Sequence, residues 1–251
     1  MTASAELDLN AVEVLLCDAD GNLFPSEEPA FEASADVTNR LLAHLGVERR
    51  YTAVELRLAT TGKNFRTTAV DLATAHRASI DSATLEWWVA EEKRRVTAHL
   101  SQALSPDEGV LGPLRALGTR FPLAVVSSSA RARLDACFSA SGLDPLFPPG
   151  LRFSAEDSLP VPASKPDPAI YVHAGEMLDI AGTQGLAIED AVPGVQSAVA
   201  AGFPVLGNVV FVPAGERADR AAALSAAGAA GVITSWAELE RMLVLRPALA
   251  E

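Results

Sequence analysis

Short apolar runs rich in β-branched residues recur along the chain at Val12–Cys17, Leu123–Val126, Gly185–Ile188, Val205–Val212 and Gly231–Thr234. Helical stretches with their own stop signals lie between the later runs. Arg131–Ser141 is closed by Gly142, Pro168–Ile180 stops near Gly182, and Pro193–Ala201 meets Gly202; each glycine suits the left-handed position after a helix. Near-continuous apolar strands alternating with helices predict a parallel sheet covered on both faces, an α/β fold. The Ala-rich stretch 214–230 reads as one more helix, and no internal repeat is present.

The first two strands break this rhythm. Asp18 and Ser127, at their carboxyl ends, stand much farther apart than the few tens of residues a βαβ crossover needs. The intervening segment carries helical signals: Thr52-x-x-Glu55 reads as a capping box, and Leu85–Leu100 sets apolar residues on one side and charges on the other. Adjacent Trp87 and Trp88 cannot share a helix face, so one of them belongs to a small core there. These signals predict an all-helical second domain over 28–104, inserted into an α/β core made of 1–27 and 105–251.

Composition narrows the function classes. The chain is 49% hydrophobic with a formal net charge of −12, which excludes disordered, collagen-like and disulfide-stapled classes. Thirty-two acidic against 20 basic residues argue against a nucleic-acid partner, because affinity for phosphate backbones rests on Lys and Arg. The start MTASAELDLN has neither a basic stretch nor an apolar signal core, and the two cysteines, Cys17 and Cys137, sit apart in apolar surroundings. No run approaches the ~18 apolar residues that span a bilayer. The expectation is a reduced, cytoplasmic protein with no membrane partner, a monomer or small homo-oligomer.

Polar residues cluster where strands end, which is where open α/β sheets bind ligands. Strand one runs into Asp18-Ala19-Asp20-Gly21-Asn22, strand two into Ser127-Ser128-Ser129, and a later strand into Glu189-Asp190, while Lys165 stands in the turn Ala163–Pro166. Four ordered motifs, VLLCDADGNLFPSE, AVVSSS, SKPDPAIY and AIEDAVPGVQSAVAAG, span nearly the whole chain. In these the sequence resembles the haloacid-dehalogenase-like hydrolase superfamily, in its β-phosphoglucomutase and phosphoglycolate phosphatase branch. The resemblance implies a Rossmann-like parallel-sheet core and a helical cap.

Residues at i and i+2 on an extended strand point the same way, so Asp18 and Asp20 can share one pocket. Asp18 is the candidate nucleophile forming an aspartyl-phosphate, and Asp20 the candidate acid for the leaving oxygen and base for water. Hard oxygen donors point to Mg²⁺. The resemblance implies as its ligands the Asp18 carboxylate, the Asp20 carbonyl and Asp190, with Glu189 direct or through water. It also implies that Ser127, N–H groups near Ser128, and Lys165 hold the phosphoryl oxygens. Plainer roles stand beside these: turn or cap residues for Asp18 and Asp20, helix capping for Ser127–Ser129, a solvated lysine for Lys165, and helix-dipole charges for Glu189 and Asp190. Cys17 reads as a small buried apolar residue.

Asp20 favours phosphoryl transfer over dehalogenation, since a halide leaves without a proton whereas an alkoxide needs one. Asn22 departs from the threonine more usual in the resembling family. The segment Thr61–Arg66 resembles the family's substrate-specificity loop, which makes Lys63 and Arg66 candidates for a second anionic group of the substrate; the plainer role is solvated helix-end charges. The sequence thus predicts a Mg²⁺-dependent phosphatase of a small phosphorylated metabolite. A sugar-phosphate mutase is the nearest alternative and a catalytically silent binding module a more distant one.

Overall fold

The computed structural model describes residues 7–60 and 64–244. The chain divides into two compact units, one formed by the residues up to Pro25 together with those from Ser105 onward, the other by Ser26–Leu104.

The first unit opens with β1 (Val14–Cys17), whose four residues are all buried. The second unit then contributes α1 (Glu27–His44), α2 (Ala53–Thr60), α3 (Phe65–Ala75) and α4 (Ser82–Ala103). The first unit resumes with α5 (Glu108–Gly118), β2 (Leu123–Ser127), α6 (Arg131–Ser141), β3 (Arg152–Ser154) and α7 (Ala169–Leu178). It finishes with β4 (Gly185–Glu189), α8 (Val192–Ala200), β5 (Val205–Asn208), α9 (Arg217–Ala227), β6 (Gly231–Ile233) and α10 (Trp236–Leu243).

The six strands are all parallel, in the order β3-β2-β1-β4-β5-β6. This is the α/β, Rossmann-like arrangement. The chain winds outward from β1 through β2 to β3 and then crosses to β4, so the switch point falls between β1 and β4, the place where a ligand crevice opens in such sheets. Register brings the chemistry there. Cys17 pairs with Ile188, so the next residues along, Asp18 and Glu189, leave the sheet side by side. Leu15, Leu16, Val125, Ile188 and Val205 are fully buried, as strands covered on both faces require.

Helix ends follow local chemistry. Gly142 (φ 72°) and Gly202 (φ 90°) take the left-handed conformation just beyond α6 and α8. The helix α7 stops earlier than Gly182 because Asp179 (φ 55°) takes that conformation instead. Strand β5 stops at Asn208, well short of Val212, where the Asn208 side chain accepts from Val210 N and turns the chain. Beside α10, two elements of the first unit have no counterpart in the apolar pattern. One is α5, capped by Asp107 Oδ1 on Gly109 N at 2.8 Å. The other is β3, three residues long and opened by the buried Arg152, which lies over the Phe138 ring and pairs with Asp135 at 2.7 Å and with Asp144.

In the helical unit, Thr52 and Glu55 form the reciprocal capping box, Glu55 N donating to Thr52 Oγ1 at 3.2 Å and Thr52 N to Glu55 Oε2 at 2.9 Å. Trp88 packs in the unit's core with Val37, Leu41 and Ala69, whereas Trp87 is 57% exposed. On α4, Glu91 accepts from Arg94, Arg95 and Arg40, which hold its carboxyl down at about 2. A depressed carboxyl stabilises the fold above its unfolded value of about 4.3 and loses that contribution as pH falls through about 2. Glu91→Gln is therefore expected to lower Tm at pH 7, with the gap to wild type closing as a pH series of thermal melts approaches pH 2. Among the described residues no helix is long and apolar enough to cross a membrane.

Candidate active site

Three strand ends and one loop converge. Asp18 continues β1 and is buried, its backbone N–H donating to the Ile188 carbonyl at 3.0 Å. Lys165, in the loop before α7, places Nζ 2.6 Å from Asp18 Oδ1, 2.6 Å from Glu189 Oε1 and 2.7 Å from the Val126 carbonyl, so all three ammonium donors are used. Tyr171 on α7 donates its hydroxyl to the same Glu189 oxygen. Asp18, Glu189 and Asp190 each offer a carboxylate oxygen within 4.8 Å of the other two.

Glycine makes two of these approaches possible. Gly21 (φ +75°) sits so close to Asp190 that an added Cβ would stand 2.4 Å from Oδ2. At Gly194, in the first turn of α8, a Cβ would fall 1.8 Å from Glu189 Oε2. Gly194→Ala must displace the Glu189 carboxylate or the helix. A lower Tm than wild type is expected in a thermal melt, since the added Cβ has no space beside that carboxylate.

Charge is out of balance in this pocket. Burial, reinforced by the neighbouring Asp18 and Glu189, drives the Asp190 carboxyl well above the carboxylate range. Burial likewise lifts Glu189 to about 7, against the pull of Lys165. Burial also draws the Lys165 ammonium down, but the charges of Asp18 and Glu189 outweigh it and hold the amine above its ordinary value. Lys165, with Arg220 beside Asp190, thus faces three buried carboxylates. The donor set is all-oxygen, acidic and crowded, a set that fits a hard divalent cation. Burial pushes the Cys17 thiol far up, which leaves it inert.

Asp20 lies in the loop beyond Asp18 with both oxygens engaged, Oδ2 by Ser129 Oγ at 2.6 Å and Oδ1 by Arg133 Nη2 at 2.9 Å. Its carboxylate is not one of the three that converge. Ser127 Oγ accepts from Ser129 N at 3.0 Å, and Ser128 Oγ accepts from Lys165 N at 3.2 Å, tying the loop after β2 to the lysine loop. Neither serine caps α6; Asp157 Oδ2 does, accepting from Arg131 N at 2.6 Å. In the helical unit Arg66 forms a two-pronged ion pair with Glu86. Lys63 lies outside the described residues.

Several contacts go beyond the sequence reading. Tyr171 ends the motif SKPDPAIY, but its bond to Glu189 depends on α7 docking against β2, β3 and α8. Arg133, in the first turn of α6, reaches Asp20 in the loop after β1. Arg220 on α9 donates to the Asp190 carbonyl at 3.0 Å. None of these pairs has a local sequence signal.

The family model of the haloacid dehalogenase-like hydrolases matches residues 12–202. The chain belongs to this family. Among solved structures, this hydrolase is similar to a HAD family hydrolase from Deinococcus radiodurans R1 with bound phosphate and sodium. The two are 28% identical, with TM-score 0.67 and coverage of 94% of this chain and 96% of that one. It is also similar to a Thermotoga maritima protein provisionally named β-phosphoglucomutase, at 26% identity, TM-score 0.66 and coverage of 93% and 98%. A predicted phosphoglycolate phosphatase from Haemophilus somnus shares the fold at 18% identity, with TM-score 0.71 and coverage of 92% and 98%. No protein among the curated, functionally described ones matches significantly.

Proposed function

We propose that this hydrolase is a Mg²⁺-dependent phosphatase of small phosphorylated metabolites and that Asp18 is its nucleophile. The observation that carries this reading is the Lys165 ammonium shared between Asp18 and Glu189 at 2.6 Å each, beside a third carboxylate, Asp190. Burial lifts the Asp18 carboxyl above its ordinary value, and the Lys165 ammonium on Oδ1 pulls it back toward the ionised form while leaving Oδ2 for the attack. That oxygen attacks the phosphorus of the ester, the bond to the leaving oxygen breaks, and Asp20 supplies the proton the leaving group takes up. A water then gives its proton back to Asp20 as it attacks the aspartyl-phosphate, releasing phosphate and restoring Asp18. Ser127, the N–H groups near Ser128, and Lys165 hold the phosphoryl oxygens.

Asp18, the Asp20 carbonyl and Asp190 would hold the cation, with Glu189 beside them. Bound Mg²⁺ supplies positive charge to a pocket that would otherwise repel a phosphate dianion. The phosphate and sodium in the Deinococcus relative support a paired anion and cation in such a fold. Lys63 and Arg66 remain candidates for contact with a second anionic group on the substrate, Arg66 through release of Glu86.

The second reading, a sugar-phosphate mutase, is favoured by the similarity to the Thermotoga protein. Phosphate release from sugar, glycolate, polyol and nucleotide phosphates tests the phosphatase, and β-glucose 1-phosphate separates the two. Free phosphate in excess of glucose 6-phosphate is expected; isomerisation outpacing phosphate release overturns the phosphatase reading.

A further inference from the structure

Asn22 follows Gly21 in the loop after β1 and is completely buried. Its side-chain amide is fully committed. Nδ2 donates to the Asp18 carbonyl at 2.8 Å and to the Ile188 carbonyl at 3.1 Å, while Oδ1 accepts from Asn208 Nδ2 at 2.8 Å. The Asn22 carbonyl in turn accepts from the buried indole Nε1 of Trp236 on α10 at 3.1 Å. Asn208, equally buried at the end of β5, is anchored by Val210 N on its Oδ1 at 3.0 Å.

These partners are not scattered. Asp18 directly follows β1, Ile188 is the next-to-last residue of the neighbouring β4, and the residues after Ile188 are Glu189 and Asp190. One planar amide bonded to both carbonyls fixes their separation, and in a dry interior it cannot shift without leaving polar groups unpaired. Asn208 and Trp236 hold the amide itself in place.

We propose that the Asn22–Asn208 pair is a positioning device: it locks the carboxyl end of β1 against that of β4 and thereby sets the spacing of Asp18 from Glu189 and Asp190. The inference rests on the reading that these three carboxylates take a divalent cation. Asn22 acts through the backbone on either side of that cluster, so it is a positioning residue rather than a catalytic one.

The test is calorimetric titration of Mg²⁺ alone into the metal-free full-length protein and into Asn22→Ala, Asn22→Thr and Asn208→Ala, alongside metal-free thermal melts. Asn22→Ala is expected to weaken Mg²⁺ binding by about 10- to 100-fold, as loss of an orienting partner does in metal sites. Asn22→Thr keeps one donor and is expected to fall between Ala and wild type, and Asn208→Ala to weaken binding by a smaller factor. A lower Tm with wild-type Mg²⁺ affinity in Asn22→Ala would reduce the pair to a structural role and overturn the proposal. If Asn22→Ala does not fold, Asn208→Ala decides, and unchanged affinity there overturns it equally. A wild type that binds Mg²⁺ but hydrolyses no phosphate ester defeats the phosphatase reading while leaving the comparison of variants intact. A wild type that binds no Mg²⁺ overturns both.

Discussion

Asp18→Asn is expected to reduce Mg²⁺-dependent phosphate release to the uncatalysed background while leaving the fold intact. The side chain keeps its shape, but the amide cannot attack phosphorus, and it no longer offers Lys165 a negative charge. Two of the neighbouring carboxylates are already engaged. Glu189 is held by Lys165 and Tyr171, and Asp20 is held by Ser129 and Arg133. Replacing a buried charge beside other carboxylates also relieves repulsion, so Tm is expected to stay near wild type or rise. Steady-state phosphate release with a thermal melt on the same preparation checks both parts, and retained turnover would refute the nucleophile assignment.

The second large effect is at Asp20. General acid and base catalysis contributes roughly 10²- to 10⁴-fold, so Asp20→Asn is expected to lower kcat by that range. The loss should depend on the leaving group. An alkyl phosphate needs the proton and should suffer fully, whereas an activated aryl phosphate with an acidic leaving group should suffer less. Equal losses on both substrates would contradict the acid role and leave Asp20 as a member of the Ser129 and Arg133 hydrogen-bond cluster.

The parallel sheet was legible because its central strands carry their own signal. Val14–Cys17 and Gly185–Glu189 are apolar runs ending abruptly in carboxylates, and pairing two such runs in register is enough to set Asp18 beside Glu189. The helix stops at Gly142 and Gly202 were legible for a local reason, the left-handed conformation glycine tolerates. Strand β3 was not, because three residues opened by an arginine carry no alternation. Arg152 enters the interior only because Asp135, Asp144 and the Phe147 carbonyl meet it there. The support of the site was illegible for a similar reason. Tyr171 on Glu189, Arg133 on Asp20, and Asn208 on Asn22 are pairings between distant segments, created by packing. The sequence marks the residues at the strand ends, while the residues that hold them emerge only when the helices dock.

In the proposed reaction the phosphoryl group passes through a covalent bond to Asp18. The most direct measurement is mass spectrometry of the wild-type protein, acid-quenched during turnover of a phosphate ester with Mg²⁺ and digested. A phosphoryl mass increase is predicted on the peptide bearing Asp18, absent without Mg²⁺ and absent in Asp18→Asn. Steady turnover with no phosphoryl adduct at any quench time, or an adduct on a different residue, would contradict it.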